Sequence, residues 1–222
     1  MQSEYANFRL RIEDKLKDFC WVNHENKIIF FVIPKNASTS IRKSILMSDS
    51  YRTTYSLLQK KVNVGEYTTF TVLREPIERL VSGYYEVIRG NKEDNPYNTV
   101  ANKKFINIDN EPERFICFLE EIEENGYFDS HIKPQIYFLS DEDGNEIDIQ
   151  HYLFFDNIGD DFSKLCLSLN FNNELQDENA FAKSRKKTLL NYIKTNKKIL
   201  NSINKLYYRD IIFYNEKNNS IK

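Results

Sequence analysis

Ile28-Ile29-Phe30-Phe31-Val32-Ile33, then Pro34-Lys35-Asn36-Ala37-Ser38-Thr39-Ser40, then Ile41-Arg42-Lys43-Ser44-Ile45-Leu46 is the stretch whose reading decides the fold. Its first part is short, wholly apolar and rich in β-branched and aromatic residues, the pattern of a strand covered on both faces in a parallel sheet. Pro34 ends the strand. Asn36 or Ser38 can then cap a helix whose buried stripe is Ile41, Ile45 and Leu46. A second strand–loop–helix unit begins at Thr68 to Leu73, turns at Arg74-Glu75-Pro76 and continues to Gly90, with Ile77, Leu80, Val81, Tyr84 and Ile88 on one helical face.

Outward from these units, Phe8, Ile12, Leu16 and Phe19 stand at helical spacing, so residues 5–20 read as an amphipathic N-terminal helix. Residues 91–110 are polar and read as a long surface loop, a place where substrate contacts often lie. Pro112 to Gly126 reads as a helix. Short strands are expected at Ile136–Leu139 and Tyr152–Phe155, the second feeding a helix with Phe162, Leu165 and Leu169. A last helix is expected over Thr188–Tyr208. Alternating strands and helices predict an α/β architecture, with a mainly parallel central sheet flanked by helices. With no repeat and no linker, residues 1–222 read as a single domain, and residues 1–26 as its N-terminal helical extension.

A chain that is 41% hydrophobic and 14% aromatic can form a sizeable core. The 31 Lys and Arg nearly balance the 33 Asp and Glu. Such a balance argues against a protein that wraps nucleic acid or lies on an anionic membrane, so any anionic ligand must be met by locally placed charges. The N-terminus is charged throughout and no segment has the length of a membrane span, so a soluble cytoplasmic protein is expected. Cys20, Cys117 and Cys166 lack zinc or redox spacing and read as reduced thiols, mostly buried. No metal site is expected.

The loop after the first strand is chemically loaded. A helix N-terminus offers free N–H groups and a positive dipole end to an anion, Lys35 adds a mobile charge, and Ser38, Thr39 and Ser40 add hydroxyl donors. An ordinary lysine-bearing turn capped by serine is the alternative for any one of these features, but their concentration favours an anion site. The loop has no glycine and its lysine precedes the hydroxyls, which excludes the Walker-type ATP loop. After the second strand, Arg74 can present its planar fork to a phosphate and Ser82 can donate from the following helix. Arg79 reads equally as a solvated partner of Glu75 or Glu78.

Ile33 to Arg42 is similar to the 5′-phosphosulfate-binding segment of the carbohydrate sulfotransferases that use 3′-phosphoadenosine 5′-phosphosulfate (PAPS), the family 2-like group with Golgi-type members. Leu73 to Tyr85 resembles the same family's 3′-phosphate segment, in the same order and about thirty-five residues on. Asp129-Ser130-His131-Ile132-Lys133-Pro134-Gln135 resembles its D-x-H-x-x-P-Q element, and Phe155-Asp156 stands where relatives often have Tyr-Glu. Ser184-Arg185-Lys186 and the segment Leu206 to Tyr214 also fit.

The resemblance implies a P-loop-like three-layer fold and sulfuryl transfer from PAPS to a hydroxyl, one on a carbohydrate, without a metal. It implies that Lys35 touches the transferred group, and that Lys35, Asn36, Ala37, Ser38, Thr39, Ser40, Arg74 and Ser82 hold the donor. Ser184 and Arg185 would belong to a basic lid. Ala37 stands where many relatives carry glycine. Of His24, His131 and His151, only His131 lies in a family-like element, so it is the candidate general base, with Glu66 or Glu86 as carboxylate alternatives. An ATP-dependent small-molecule kinase or a non-catalytic nucleotide- or carbohydrate-binding module remain the rival readings, and the acceptor and the oligomeric state stay open.

Overall fold

The computed structural model describes residues 18–45, 50–90, 103–170, 175 and 183–220. Five strands, β1 (Phe19–Asn23), β2 (Ile28–Phe31), β3 (Ser50–Thr54), β4 (Thr68–Leu73) and β5 (His151–Phe154), form one sheet in the order β3-β1-β2-β4-β5. The pairs β2–β4 and β4–β5 are parallel, as the two strand–loop–helix units predict. The pairs β1–β2 and β1–β3 are antiparallel, so the sheet is mixed where a mainly parallel one was expected. The difference arises at Phe19 and Cys20, which open a strand with period-two burial, although helical spacing assigns them to an N-terminal helix. The remainder of that expected helix, up to residue 17, lies outside the described residues.

The described helices are α1 (Ser38–Ile45), α2 (Tyr55–Gln59), α3 (Pro76–Arg89), α4 (Glu111–Asn125), α5 (Gln135–Phe138), α6 (Ile158–Ser168), α7 (Lys183–Thr195), α8 (Lys197–Leu206) and α9 (Tyr208–Asn219). The strand expected at Ile136–Leu139 is the short helix α5. A brief apolar run carries no decisive period, and here Pro134 starts a turn while the Asp210 carboxylate accepts from Ile136 N at 3.0 Å. The single C-terminal helix expected over Thr188–Tyr208 is broken after Thr195. There the Asn196 side chain accepts from Lys198 N at 3.1 Å and Ile199 N at 3.3 Å and so caps a new helix.

Contacts divide the molecule into two compact units. Of the described residues, those in Lys15–Pro76, Pro134–Phe181 and Arg209–Lys222 form a sheet unit, and those in Ile77–Lys133 and Ala182–Tyr208 form a helical unit. In the sheet unit all four residues of β2 are buried, and they alternate between two cores. Ile29 and Phe31 pack with Tyr55, Tyr137 and Phe213, from α2, α5 and α9, while Ile28 and Phe30 pack with Ile41, Phe162 and Leu165, from α1 and α6. Helices therefore cover both faces, which is why β2 has no polar face. In the helical unit Tyr84 of α3 meets Phe115 and Phe118 of α4 edge-on, each at 5.1 Å between ring centroids.

Candidate functional site

Because β2 and β4 are parallel neighbours in register at Phe31 and Thr71, the loop after β2 and the turn after β4 leave the same edge of the sheet. The structure joins them directly: Arg74 Nη1 donates to the carbonyl oxygen of Lys35 at 3.3 Å. The Arg74 guanidinium also lies over the Phe155 ring, 4.0 Å from its centroid, so the Phe-Asp pair after β5 supplies an aromatic floor for this cation.

Within the loop, Lys35 and Ala37 adopt left-handed φ values of 72° and 56°. For a residue with a Cβ that region costs about 1–2 kcal/mol, so the loop holds Lys35 and Ala37 in a backbone form that glycine would adopt freely. Helix α1 starts at once, with Ile41 N donating to the Ala37 carbonyl at 3.0 Å. Ser40 is buried and Thr39 is exposed.

Asn36 is not the helix cap that its position suggests. Its side chain is buried and donates to the Val72 carbonyl at 2.7 Å and to Gln135 Oε1 at 2.6 Å. Gln135, fully buried, is the hub of this network. Its Oε1 also accepts from Arg74 N at 2.9 Å, while its Nε2 donates to the Arg74 carbonyl at 2.8 Å and to Asp210 Oδ2 at 3.3 Å. One amide therefore ties together the loop after β2, the main chain at Arg74 and helix α9. Local sequence pattern assigns a role in this network to neither Gln135 nor Asp210. The available signal was an amide, able to give and accept at once, closing the D-x-H-x-x-P-Q element.

In the helical unit Ser82 is buried on α3, and Lys186 Nζ lies 3.4 Å from its hydroxyl oxygen. The basic segment near the C-terminus thus brings a cation to Ser82 through Lys186; the side chains of Ser184 and Arg185 lie outside the described residues. Arg79 corrects the solvated reading: it is 1% exposed and donates to the Lys133 carbonyl at 2.6 Å. Gly83 has no room for a side chain, because a Cβ there would meet the main-chain carbonyl of His131 well inside contact distance. We expect Gly83→Ala to lower unfolding free energy by about 1–3 kcal/mol, as overpacking against immobile backbone does, measured as a shift in the urea midpoint.

His131 is half-buried, and both its main-chain N–H and its ring Nδ1 face Asp129 Oδ1, at 2.8 and 2.7 Å. The alternatives for the base are placed differently. Glu66 precedes β4, at the end opposite Arg74 and roughly 20 Å away along a six-residue strand, and pairs with Lys27 at 3.3 Å. Glu86 is paired with Arg89. His24 is bonded to the hydroxyls of Tyr67 and Tyr51 at the amino end of β2, and His151 opens β5.

Residues 91–102 of the expected substrate loop lie outside the described residues; residues 104–107 form a 3-10 turn. Among the described residues no helix is long and apolar enough to cross a membrane. The three cysteines are free, and burial, followed by the Asp18 carboxylate, pushes the Cys20 thiol up to about 12.

A basic, hydroxyl-rich loop on the carboxyl edge of a parallel strand pair, with the neighbouring strand's arginine tied to it, is a layout suited to an anionic ligand. The chain belongs to the Sulfotransferase family, whose profile matches residues 18–215, so sulfuryl transfer is its chemistry. No curated protein and no solved structure gave a match.

Proposed function

We propose that this sulfotransferase takes its sulfuryl group from PAPS and passes it to a carbohydrate hydroxyl. The observation that carries the donor assignment is the Arg74 to Lys35 hydrogen bond, which ties the turn after β4 to the loop after β2. In this reading Lys35 and the α1 N-terminus, with Ala37, Ser38, Thr39 and Ser40, receive the 5′-phosphosulfate. Arg74 and Ser82 receive the 3′-phosphate, and Lys186 adds charge beside Ser82, with Ser184 and Arg185 in the same basic segment. Asn36 serves from behind, by shaping the loop.

Sulfuryl transfer is in-line displacement, in which positioning and electrostatics supply the catalysis. The acceptor oxygen forms a bond to sulfur while the bond from sulfur to the 5′-phosphate oxygen breaks, and the electron pair leaves on that oxygen, beside Lys35. His131 Nε2 takes the hydroxyl proton. The carbohydrate acceptor rests on the resemblance of the two donor motifs to carbohydrate sulfotransferases. Free cysteines accord with work in a reducing compartment such as the cytoplasm.

Calorimetry with 3′-phosphoadenosine 5′-phosphate against ATP and adenosine 5′-phosphosulfate tests the donor. Tight binding only when the 3′-phosphate is present is expected, and Arg74→Ala should weaken it by about 1.5–3 kcal/mol. Equal affinity with and without the 3′-phosphate would remove the assignment. Labelled PAPS with a panel of p-nitrophenyl glycosides tests turnover; donor binding without transfer to any hydroxyl would identify a non-catalytic module.

A further inference from the structure

We infer that Asp129 is a positioning residue for His131, setting the imidazole tautomer so that Nε2 is the proton-accepting nitrogen. The inference rests on the proposed role of His131 as base and names what prepares it. Asp129 Oδ1 lies 2.7 Å from His131 Nδ1 and 2.8 Å from the His131 main-chain N–H. An ionised carboxylate can only accept, so Nδ1 must carry the hydrogen, and in the neutral ring Nε2 then holds the lone pair. Nε2 makes no hydrogen bond among the described residues.

A short-range Asp-to-His contact could be no more than a turn closure, but this loop is held on several sides. Tyr207 donates to the Ile132 carbonyl at 2.6 Å, Arg79 donates to the Lys133 carbonyl at 2.6 Å, and Gly83 lets α3 press against the His131 main chain. The carboxylate is 14% exposed and the imidazole 38% exposed, so the oriented side of the ring is sheltered while the ring itself stays within reach of solvent and substrate. A fixed backbone with a sheltered acceptor on Nδ1 is what holds one tautomer, and a mobile exposed histidine would sample both.

The test combines imidazole nitrogen NMR of the full chain with kinetics of Asp129→Ala, Asp129→Asn, His131→Ala and the Asp129→Ala/His131→Ala pair. PAPS is the donor and p-nitrophenyl glycosides are the carbohydrate probes. In the unmodified protein His131 should give the Nδ1–H signature, and in Asp129→Ala it should move toward Nε2–H. Turnover should fall about tenfold or more in Asp129→Ala, within what a positioned base contributes, while affinity for 3′-phosphoadenosine 5′-phosphate stays within about twofold. Adding Asp129→Ala to His131→Ala should cost nothing further, since Asp129 acts only through the ring. Asp129→Asn keeps the side-chain shape and guards against a simple folding defect.

An Nε2–H signature in the unmodified protein, or losses that multiply in the double variant, would overturn the inference. If His131→Ala is inactive but Asp129→Ala is normal, this inference alone fails. If His131→Ala turns over normally, the base assignment fails and takes the inference with it.

Discussion

Replacing Gln135 with alanine will destabilise the sheet unit by about 3–5 kcal/mol, the largest stability loss expected from a single substitution among the site residues. Asn36 Nδ2 and Asp210 Oδ2 would each lose a partner in a buried setting, and the main-chain N–H and carbonyl of Arg74 in a half-buried one. A buried polar group left unsatisfied costs about 1–3 kcal/mol, and the network spreads that cost over several groups. Gln135→Met separates the causes, because it nearly restores the volume and none of the hydrogen bonds. Urea unfolding of both variants should therefore give similar losses. If methionine restores stability, the hub acts by filling space and the polar network contributes little.

Lys35→Ala should lower turnover about 100–1,000-fold, the range for removing one donor aimed at developing charge, and change donor affinity far less. The reason is differential: the 5′-phosphate oxygen gains charge only as its bond to sulfur breaks, so a cation beside it contributes most at the transition state. This expectation rests on the proposed donor site; the backbone of Lys35 itself is left-handed, and its carbonyl accepts from Arg74 Nη1. Lys35→Arg should rescue poorly, since a planar fork does not replace a compact ammonium. Single-turnover rates and calorimetry with 3′-phosphoadenosine 5′-phosphate separate the two effects. A normal rate in the alanine variant would reduce Lys35 to a structural residue of the loop.

These expectations differ in where they could be seen. The loop with Lys35 and the turn with Arg74 were legible because each sits directly after a short strand-forming run, wholly apolar in β2 and rich in β-branched and aromatic residues in β4, and local pattern alone places such a loop at a sheet edge. Gly83 and Arg79 were not legible. Arg79 stands among acidic neighbours and looks solvated, yet its partner is a carbonyl 54 residues away. Gly83 sits inside a helical pattern where glycine is merely tolerated, and only the approach of the His131 backbone makes it necessary. The strand β1 was hidden for a related reason: Phe19 completes a helical spacing with residues before it, and only pairing with β2 and β3 selects the extended form.

By itself the sequence determined the parallel β2–β4 core, the positions of the Lys35 loop and the Arg74 turn that follow it, and the family to which they point, since strand burial, helix starts and charge placement are written in adjacent residues. Tertiary structure alone decided the mixed sheet, the helical form of Gln135–Phe138, the union of Arg74 with the Lys35 loop, and the pairing of Gln135 with Asn36 across 99 residues. Those outcomes depend on which distant donors and acceptors come to share a dry interior, where each must find a partner, and no local pattern encodes the choice.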